Sequence, residues 1–326
     1  MPRPWQVGED AGLVGELIED GMAGLTLESE ALGGVVATFV PEAGMVCCSL
    51  RHRGEQLLGQ RGGLRRYVVS RSTMGIPFLH PWANRLGADR FELAGREMNL
   101  ELEDLPLKRD ERGLPIHGLL GAAPGWRVER HTELEHGGVL AASFPFDSYP
   151  HLLDAFPFPH RVAIEATLEE ATLRIATTVE ATGEVAVPIS FGFHPYLRLP
   201  GVPREEWVLA APVRERLALD PRQLPTGGRE PCEIETGPLG ARTFDQGFTA
   251  PEEGEPFALS GGGRRLELRL GAGYPFAQIY APADTDAVAI EPMTAPTNAL
   301  LSGEELPLVA PGERFAAEFS IAISSE

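Results

Sequence analysis

Lysine is almost missing from this chain. Lys108 is the only one, arginine supplies the other cations, and 47 acidic residues against 28 basic ones leave a formal net charge of −19. A nucleic acid or an anionic membrane would need a basic surface, so neither is expected as a partner. The acidity names no substrate; its simplest consequence is solubility. Cysteine is scarce too: Cys47, Cys48 and Cys232 are the only three. Two of them are adjacent, no CxxC pair exists, and an odd count makes a poor disulfide framework, so a reducing cytoplasm is expected. No run approaches the roughly 18 apolar residues of a membrane span. The opening MPRPWQVGEDAGLVGELIED places prolines and acids where a secretory signal has a basic start and an apolar core. Standard chemical signatures are absent as well. There is no HxH or HExxH, no GxSxG elbow, no P-loop and no GxGxxG opening a helix. His131 and His136 sit five apart on a strand and turn, a poor metal spacing.

What is present describes a globular protein with a large core: 43% hydrophobic and 23% charged residues. Short alternating segments broken by Gly, Pro and Asp dominate, and each reads as a strand. They are Leu25–Leu27, Gly34–Val40, Met45–His52, an Arg90–Leu93/Glu97–Leu102 hairpin, Trp126–Arg130, Val139–Phe144, Arg161–Leu168 and Thr172–Val179. Ala186–Phe193, Trp207–Ala210, Arg265–Leu270, Ala277–Tyr280, Ala287–Ile290 and Phe315–Ile321 continue the series. Pro188 predicts an edge position or a late start for its strand. Only Ala11–Asp20 could form a short amphipathic helix, and its glycines weaken it. Pro221–Gly228 and Ser260–Gly263 are short enough to be loops or hairpin turns rather than linkers. Many strands without βα alternation indicate an all-β fold, a large antiparallel β-sandwich or barrel, as one domain over residues 1–326.

Five stretches combine turn chemistry with reactive side chains. In SFGFHPYLRL, Pro195 stops strand pairing beside His194 and presents the imidazole, with Tyr196, at a strand end. AVAIEPMTAPTNA repeats the arrangement: Glu291 leaves the apolar run Val288–Ile290 just before Pro292. A glutamate emerging from a buried strand is costly unless it has partners or a task. GIPFLHPWANRL displays His80, Trp82, Asn84 and Arg85, and could equally be a structural loop capped by Asn84. GLPIHGLL sets His117 between an isoleucine and a glycine, as a core histidine or a ligand contact. TFDQGFT holds Asp245 between Phe244 and Phe248, the aromatic-plus-carboxylate pairing of a sugar site, although a turn aspartate reads the same.

Taken together and in order, ANRL at 83–86, IHG at 116–118, HPYLRL at 194–199, FDQGFT at 244–249 and EPMTAPTNA at 291–299 resemble the aldose 1-epimerase (galactose mutarotase) family. The likeness covers residues about 75 to 300. It implies a galactose mutarotase-like supersandwich of antiparallel sheets with a sugar in an open cleft. It also implies interconversion of α and β anomers of a free aldose without metal or organic cofactor. By the same resemblance Glu291 is the general base and His194 the general acid. His117 is a second histidine near the ring oxygen, Arg85 a donor to sugar hydroxyls and Asp245 an acceptor from them, with Asn84 and Tyr196 beside them. Nearby carboxylates would hold the His194 pKa up. The segments around the histidines are shorter than in galactose-specific members, which opens the choice of sugar. Phosphosugar epimerases of the same superfamily need a basic clamp, for which Arg198, Arg204 and Arg71 are candidates, so a hexose-6-phosphate 1-epimerase is one alternative. A non-catalytic carbohydrate-binding sandwich is another, and a different isomerase or lyase on the same scaffold a third. The expected partner is a small-molecule sugar, with the chain a monomer or homodimer.

Overall fold

A computed structural model describes residues 16–19, 21–252 and 254–325. Strands opposite in register are antiparallel throughout the named ladders. The strands Glu16–Glu19, Met22–Ser29, Val35–Val40, Val46–His52 and Glu55–Gln56 form a five-stranded meander. Cys47 and Cys48 lie on the fourth of these, where successive side chains point to opposite faces, and each is buried in a different apolar cluster. That geometry, rather than redox state, keeps the pair from bridging. Of the helix expected over Ala11–Asp20, residues 11–15 and Asp20 lie outside the described residues, and Glu16–Glu19 is a strand paired with Met22–Leu25.

Nine strands build the second sheet, in the order Arg127–Leu134, Gly137–Pro145, His160–Glu169, Thr172–Ala181, Arg314–Ser325, Arg264–Leu270, Phe257–Gly261, Val208–Ala211 and Ile234–Pro238. An eight-stranded sheet runs Pro225–Pro231, Glu215–Leu219, Phe244–Thr249, Phe276–Ala281, Val288–Met293, Gly192–Phe193 and Phe78–Leu79, with Tyr196–Leu197 paired beside it on Val288–Met293. Phe193 and Phe191 meet Phe319 and Phe315 of the nine-stranded sheet at ring centroid distances of 5.1 and 6.0 Å. The main core therefore lies between the two sheets, and the opposite face of the eight-stranded sheet is left for chemistry.

Alternation located most of these strands, and two places differ. The Ala186–Phe193 run splits: Val187–Pro188 pairs with Leu308–Val309, and only Gly192–Phe193 enters the large sheet. Within 221–228, expected as a loop, residues from Pro225 onward join an edge strand, where prolines cost no ladder bond. TFDQGFT, left open between site and turn, is a strand over Phe244–Thr249. The helix Gly63–Ser70 was not foreseen. Its glycine start and Val68–Val69 hide it, and only Leu64 and Tyr67 are buried. Tyr67 accepts the Ala122 N–H at 2.9 Å, which fastens the helix to the segment after His117.

Candidate active site

On the free face of the eight-stranded sheet, period-two alternation gathers polar residues from three neighbouring strands. Asp245 lies opposite Tyr280, and Gln278 lies opposite Glu291. Gln278 donates to Asp245 Oδ1 at 2.7 Å. Phe244 and Phe248, one and three residues from Asp245 and so on the other face of the strand, turn the other way. Phe248 is in the core and Phe244 packs against it under Arg242. The aromatic walls beside Asp245 are thus not the two phenylalanines that its sequence context pointed to. Tyr280, opposite Asp245 in register, takes that place, and Tyr196 lies farther along the cleft against His194.

His194 arrives as expected. Pairing with Val288–Met293 is interrupted at His194–Pro195 and resumes at Tyr196, so the imidazole projects from a break in the ladder. Its Nε2 is 3.2 Å from Glu291 Oε1 and 3.3 Å from the Tyr196 hydroxyl. The Tyr196 ring stacks on the imidazole at 4.2 Å. That hydroxyl is itself held by Arg61 Nη1 at 2.8 Å and Thr73 Oγ1 at 2.7 Å. His194 and Glu291 are 4% and 2% exposed.

His117 and Arg85 are brought in by a short crossing of two irregular segments. The His117 N–H donates to Asn84 O at 2.9 Å, the Leu86 N–H to Pro115 O at 2.9 Å, and Arg85 bridges Ile116. His117 reaches the His194 ring edge to face, with centroids 5.3 Å apart. Asn84 and His117 both have positive φ, at 55° and 66°, and Gly118 follows at 72°. A Cβ on Gly118 would collide with the His80 carbonyl, so only glycine allows this approach. Arg85 is fixed by Asp110 Oδ2 at 2.8 Å, Asn84 Oδ1 at 3.2 Å and Asp245 Oδ2 at 3.5 Å. Burial opposes ionisation of Asp110, yet Arg85 and the Leu114 and Arg112 amides keep its pKa below the usual value.

All seven residues singled out in sequence (Glu291, His194, His117, Arg85, Asp245, Asn84 and Tyr196) line one open cleft of about 470 Å³. That is room for a single small ligand. His80 and Trp82 do not take part: both are buried, with His80 Nε2 2.7 Å from His160 Nε2. The arginines considered for a phosphate clamp are elsewhere. Arg204 donates to the Gly240, Arg242, Ala281 and Pro282 carbonyls, Arg198 pairs with Asp286 at 3.2 Å, and Arg71 sits behind the cleft wall at a small void shared with Thr73, Lys108 and His117. Sequence reasoning missed Arg61, Thr73, Lys108, Asp110 and Tyr280, which also line the cleft. Tyr280 could have been read from the alternation Gln278, Ile279, Tyr280, and Lys108 from being the single lysine. Arg61 left no signal. A larger surface hollow of about 610 Å³, between residues 26–31 and 131–138, includes five glutamates in its lining, and its His131 is bonded to the Thr26 carbonyl. Its one histidine–carboxylate pair among the described residues, His136 and Glu135 at 3.8 Å, is exposed to solvent, unlike His194 and Glu291.

Electrostatics in the cleft run against charge. Burial raises the Glu291 pKa well above its ordinary value, Asp245 adds to this, and Arg85 and Lys108 oppose it. Burial lowers His194 well below its ordinary value, reinforced by Lys108 and Arg61. The expectation that carboxylates would hold the His194 pKa up is therefore overturned: desolvation and two cations outweigh Glu291. His117 is lowered for the same reasons, burial first and His194 next. Among the described residues, His194 Nδ1, His117 Nδ1 and Glu291 Oε2 have no hydrogen-bond partner. Buried polar atoms left open in a cleft are what a polar ligand would complete.

Comparison with known proteins agrees with this arrangement. The uncharacterized protein YihR of Escherichia coli K12 is 26% identical over 268 residues, covering 78% of this chain and 82% of YihR. Among solved structures, the Slr1438 protein of Synechocystis sp. PCC 6803 matches with a TM-score of 0.76 at 24% identity, covering 95% of this chain and 98% of that one. A galactose mutarotase-like protein from Clostridium acetobutylicum matches with a TM-score of 0.82 at 16% identity and the same coverages. At such identities the structures establish a shared fold. The model of the aldose 1-epimerase family matches residues 40–322, from the end of the third strand of the first meander into the last strand, and on that span the chain belongs to the aldose 1-epimerase family.

Proposed function

We propose that the chain is a mutarotase that interconverts the α and β anomers of a hexose, with Glu291 and His194 as its proton-transfer pair. One observation carries this reading: a carboxylate and an imidazole, from distant parts of the chain, stand 3.2 Å apart in the cleft. In a cyclic sugar the C1 hydroxyl oxygen and the ring oxygen are bonded to the same carbon. The group that takes a proton from one and the group that gives a proton to the other must therefore be immediate neighbours.

Glu291 removes the proton of the C1 hydroxyl, the C1–O1 bond becomes a carbonyl, and the C1–ring oxygen bond breaks as His194 protonates the departing oxygen. Rotation about C1–C2 exposes the other face of the aldehyde. Reclosure returns the ring-oxygen proton to His194 and the carboxyl proton to O1. Arg85 and Asp245 hold the ring hydroxyls, with Asn84 beside them, and His117 stands over the ring oxygen. Burial penalises the Glu291⁻/His194⁺ form and spares the neutral pair, which is the form that accompanies the open-chain aldehyde. Desolvation thus pushes the protons in the direction of ring opening.

The test is exchange NMR between anomers of glucose and galactose, with polarimetry of fresh α-anomer. The wild type should equilibrate them faster than buffer, and Glu291→Gln should lose about 10²–10⁴-fold in kcat/KM. Binding without any acceleration would leave a sugar-binding module, and products altered beyond C1 would mean a different isomerase or lyase.

A further inference from the structure

His80 and His160 are buried away from the cleft and take no part in the proton transfer. They are 2% and 0% exposed, with their Nε2 atoms 2.7 Å apart. Phenylalanines enclose them: Phe146 stacks on His160 at 4.2 Å and Phe78 on His80 at 5.3 Å, with Phe156 and Phe191 beside them. One arrangement of protons satisfies the contacts. The Phe158 carbonyl, 2.6 Å from His160 Nδ1, can only accept, so Nδ1 carries the hydrogen. In the neutral ring His160 Nε2 is then an acceptor, and His80 Nε2–H must donate to it. His80 Nδ1 is left bare, in keeping with its having no hydrogen-bond partner. A further proton has no good place. On His160 Nε2 it would set two N–H groups against each other, and on His80 Nδ1 it would bury a charge without an acceptor. Burial accordingly lowers the His80 pKa well below its ordinary value, with His160 adding to it, and lowers His160 to about 4 against the opposing pull of its bond to Phe158 and of Asp147.

This bond joins the two large sheets at the back of the site. His160 opens the strand His160–Glu169 of the nine-stranded sheet, and His80 directly follows Phe78–Leu79 of the eight-stranded one. The His80 carbonyl accepts the Leu119 N–H at 2.7 Å and the Leu120 N–H at 3.1 Å. Gly118 presses on the same carbonyl so closely that no side chain fits, and Gly118 is the residue after His117. His117 therefore takes its place from a turn seated on the His80 main chain. Since the His80 ring is tied to His160 in one tautomer, its main chain has little freedom to shift. We propose that the His80–His160 bond is a positioning device for His117, fixing the His80 main chain whose carbonyl holds the Gly118–Leu120 turn, so that the His117 ring faces the cleft beside His194. This deepens the mutarotase reading above and rests on it only for its kinetic consequence.

Long-range 1H–15N NMR of the histidine rings tests the geometry, and anomer-exchange NMR well below the melting temperature tests the consequence. At neutral pH His160 should be the Nδ1–H tautomer and His80 the Nε2–H tautomer; any other combination, or a charged ring, overturns the proposal. His160→Leu removes the acceptor. It should shift the His117 ring signals and lower kcat about tenfold or more, with a smaller change in KM. His160→Gln offers an amide oxygen to His80 and an N–H to the Phe158 carbonyl, and should restore the His117 signals and most of kcat. Combining His80→Leu with His160→Leu orphans no imidazole, so it supplies a folded protein if the single variant is too unstable, and the same shift and loss are expected of it. Unmoved His117 signals and kcat in the folded leucine variants would mean that the pair only packs. A loss in His160→Gln equal to that in His160→Leu would mean that the bond is immaterial, and either result overturns the proposal. If the wild type equilibrates no sugar, the mutarotase reading fails and the His117 signals decide alone. A shift in the leucine variants that His160→Gln reverses then supports the positioning role, and no shift refutes it.

Discussion

Glu291 is where folding and function are opposed. A carboxyl whose pKa is raised in the folded state contributes stability fully below its unfolded pKa, and that contribution is lost as pH rises through the folded value. Burial raises Glu291, so at neutral pH its ionised form is a cost to the fold. Glu291→Gln removes that charge and is expected to unfold at the same temperature or higher in calorimetry, although it silences exchange. A large fall in melting temperature would mean that the carboxylate is held by partners and is not strained. The same pair sets the pH profile. Its ready form carries one proton, on His194; a second proton in acid silences the base, and loss of the proton in alkali silences the acid. Burial raises the carboxyl and lowers the imidazole, so the single proton favours Glu291 and the form with it on His194 is a minority of the singly protonated pair. The bell in kcat/KM should therefore be broad and low, with limbs that belong to the pair and to neither residue alone. A narrow bell bounded near the ordinary glutamate and histidine values of about 4.3 and 6.5 would show that the two titrate as solvated side chains.

At the scale of elements, the site depends on interruptions of regular structure. Pro195 breaks the ladder at His194, and the crossing of Asn84–Leu86 over Pro115–His117 is made by residues with positive φ. Gly118 is the tightest point, because its backbone φ and the His80 carbonyl both exclude a side chain. Gly118→Ala should therefore lose more than about 1 kcal/mol of stability. It should also lower kcat/KM by displacing His117, whereas Gly113→Ala, strained in φ but open in space, should lose stability alone. Equal kinetic losses in both would show that His117 is not positioned by this contact. The interruptions were the legible part of the sequence: proline after His194 and Glu291 and glycine after His117 are local chemistry that one chain displays. Strands with clean alternation, such as Thr172–Ala181, were legible for the same reason. Glu215–Leu219, Ile234–Pro238 and the Gly63–Ser70 helix were not, since each owes its form to neighbours contributed by distant segments. Arg61, just ahead of that helix, was hidden for the same reason.

Across the whole molecule, charge is unevenly distributed between surface and cleft. Many arginines on the outer faces are paired with the abundant acids, and the single lysine lines the cleft, half-buried, with no ion pair but within the field of Glu291 and Glu111. This composition makes Lys108 addressable by chemistry that no other side chain answers. An amine-directed acylating reagent can modify only Lys108 and the terminal amine, and peptide mass spectrometry separates the two. Amines react as the free base, so labelling should follow the Lys108 pKa of about 8 and not the ordinary lysine value of about 10.4. Its half-maximal rate should fall near pH 8, and an aldose bound in the cleft should slow it by covering the amine. Labelling that rises only near pH 10, with no protection by any aldose the protein equilibrates, would place Lys108 in open solvent. The cleft would then have lost the one cation that sequence composition singles out.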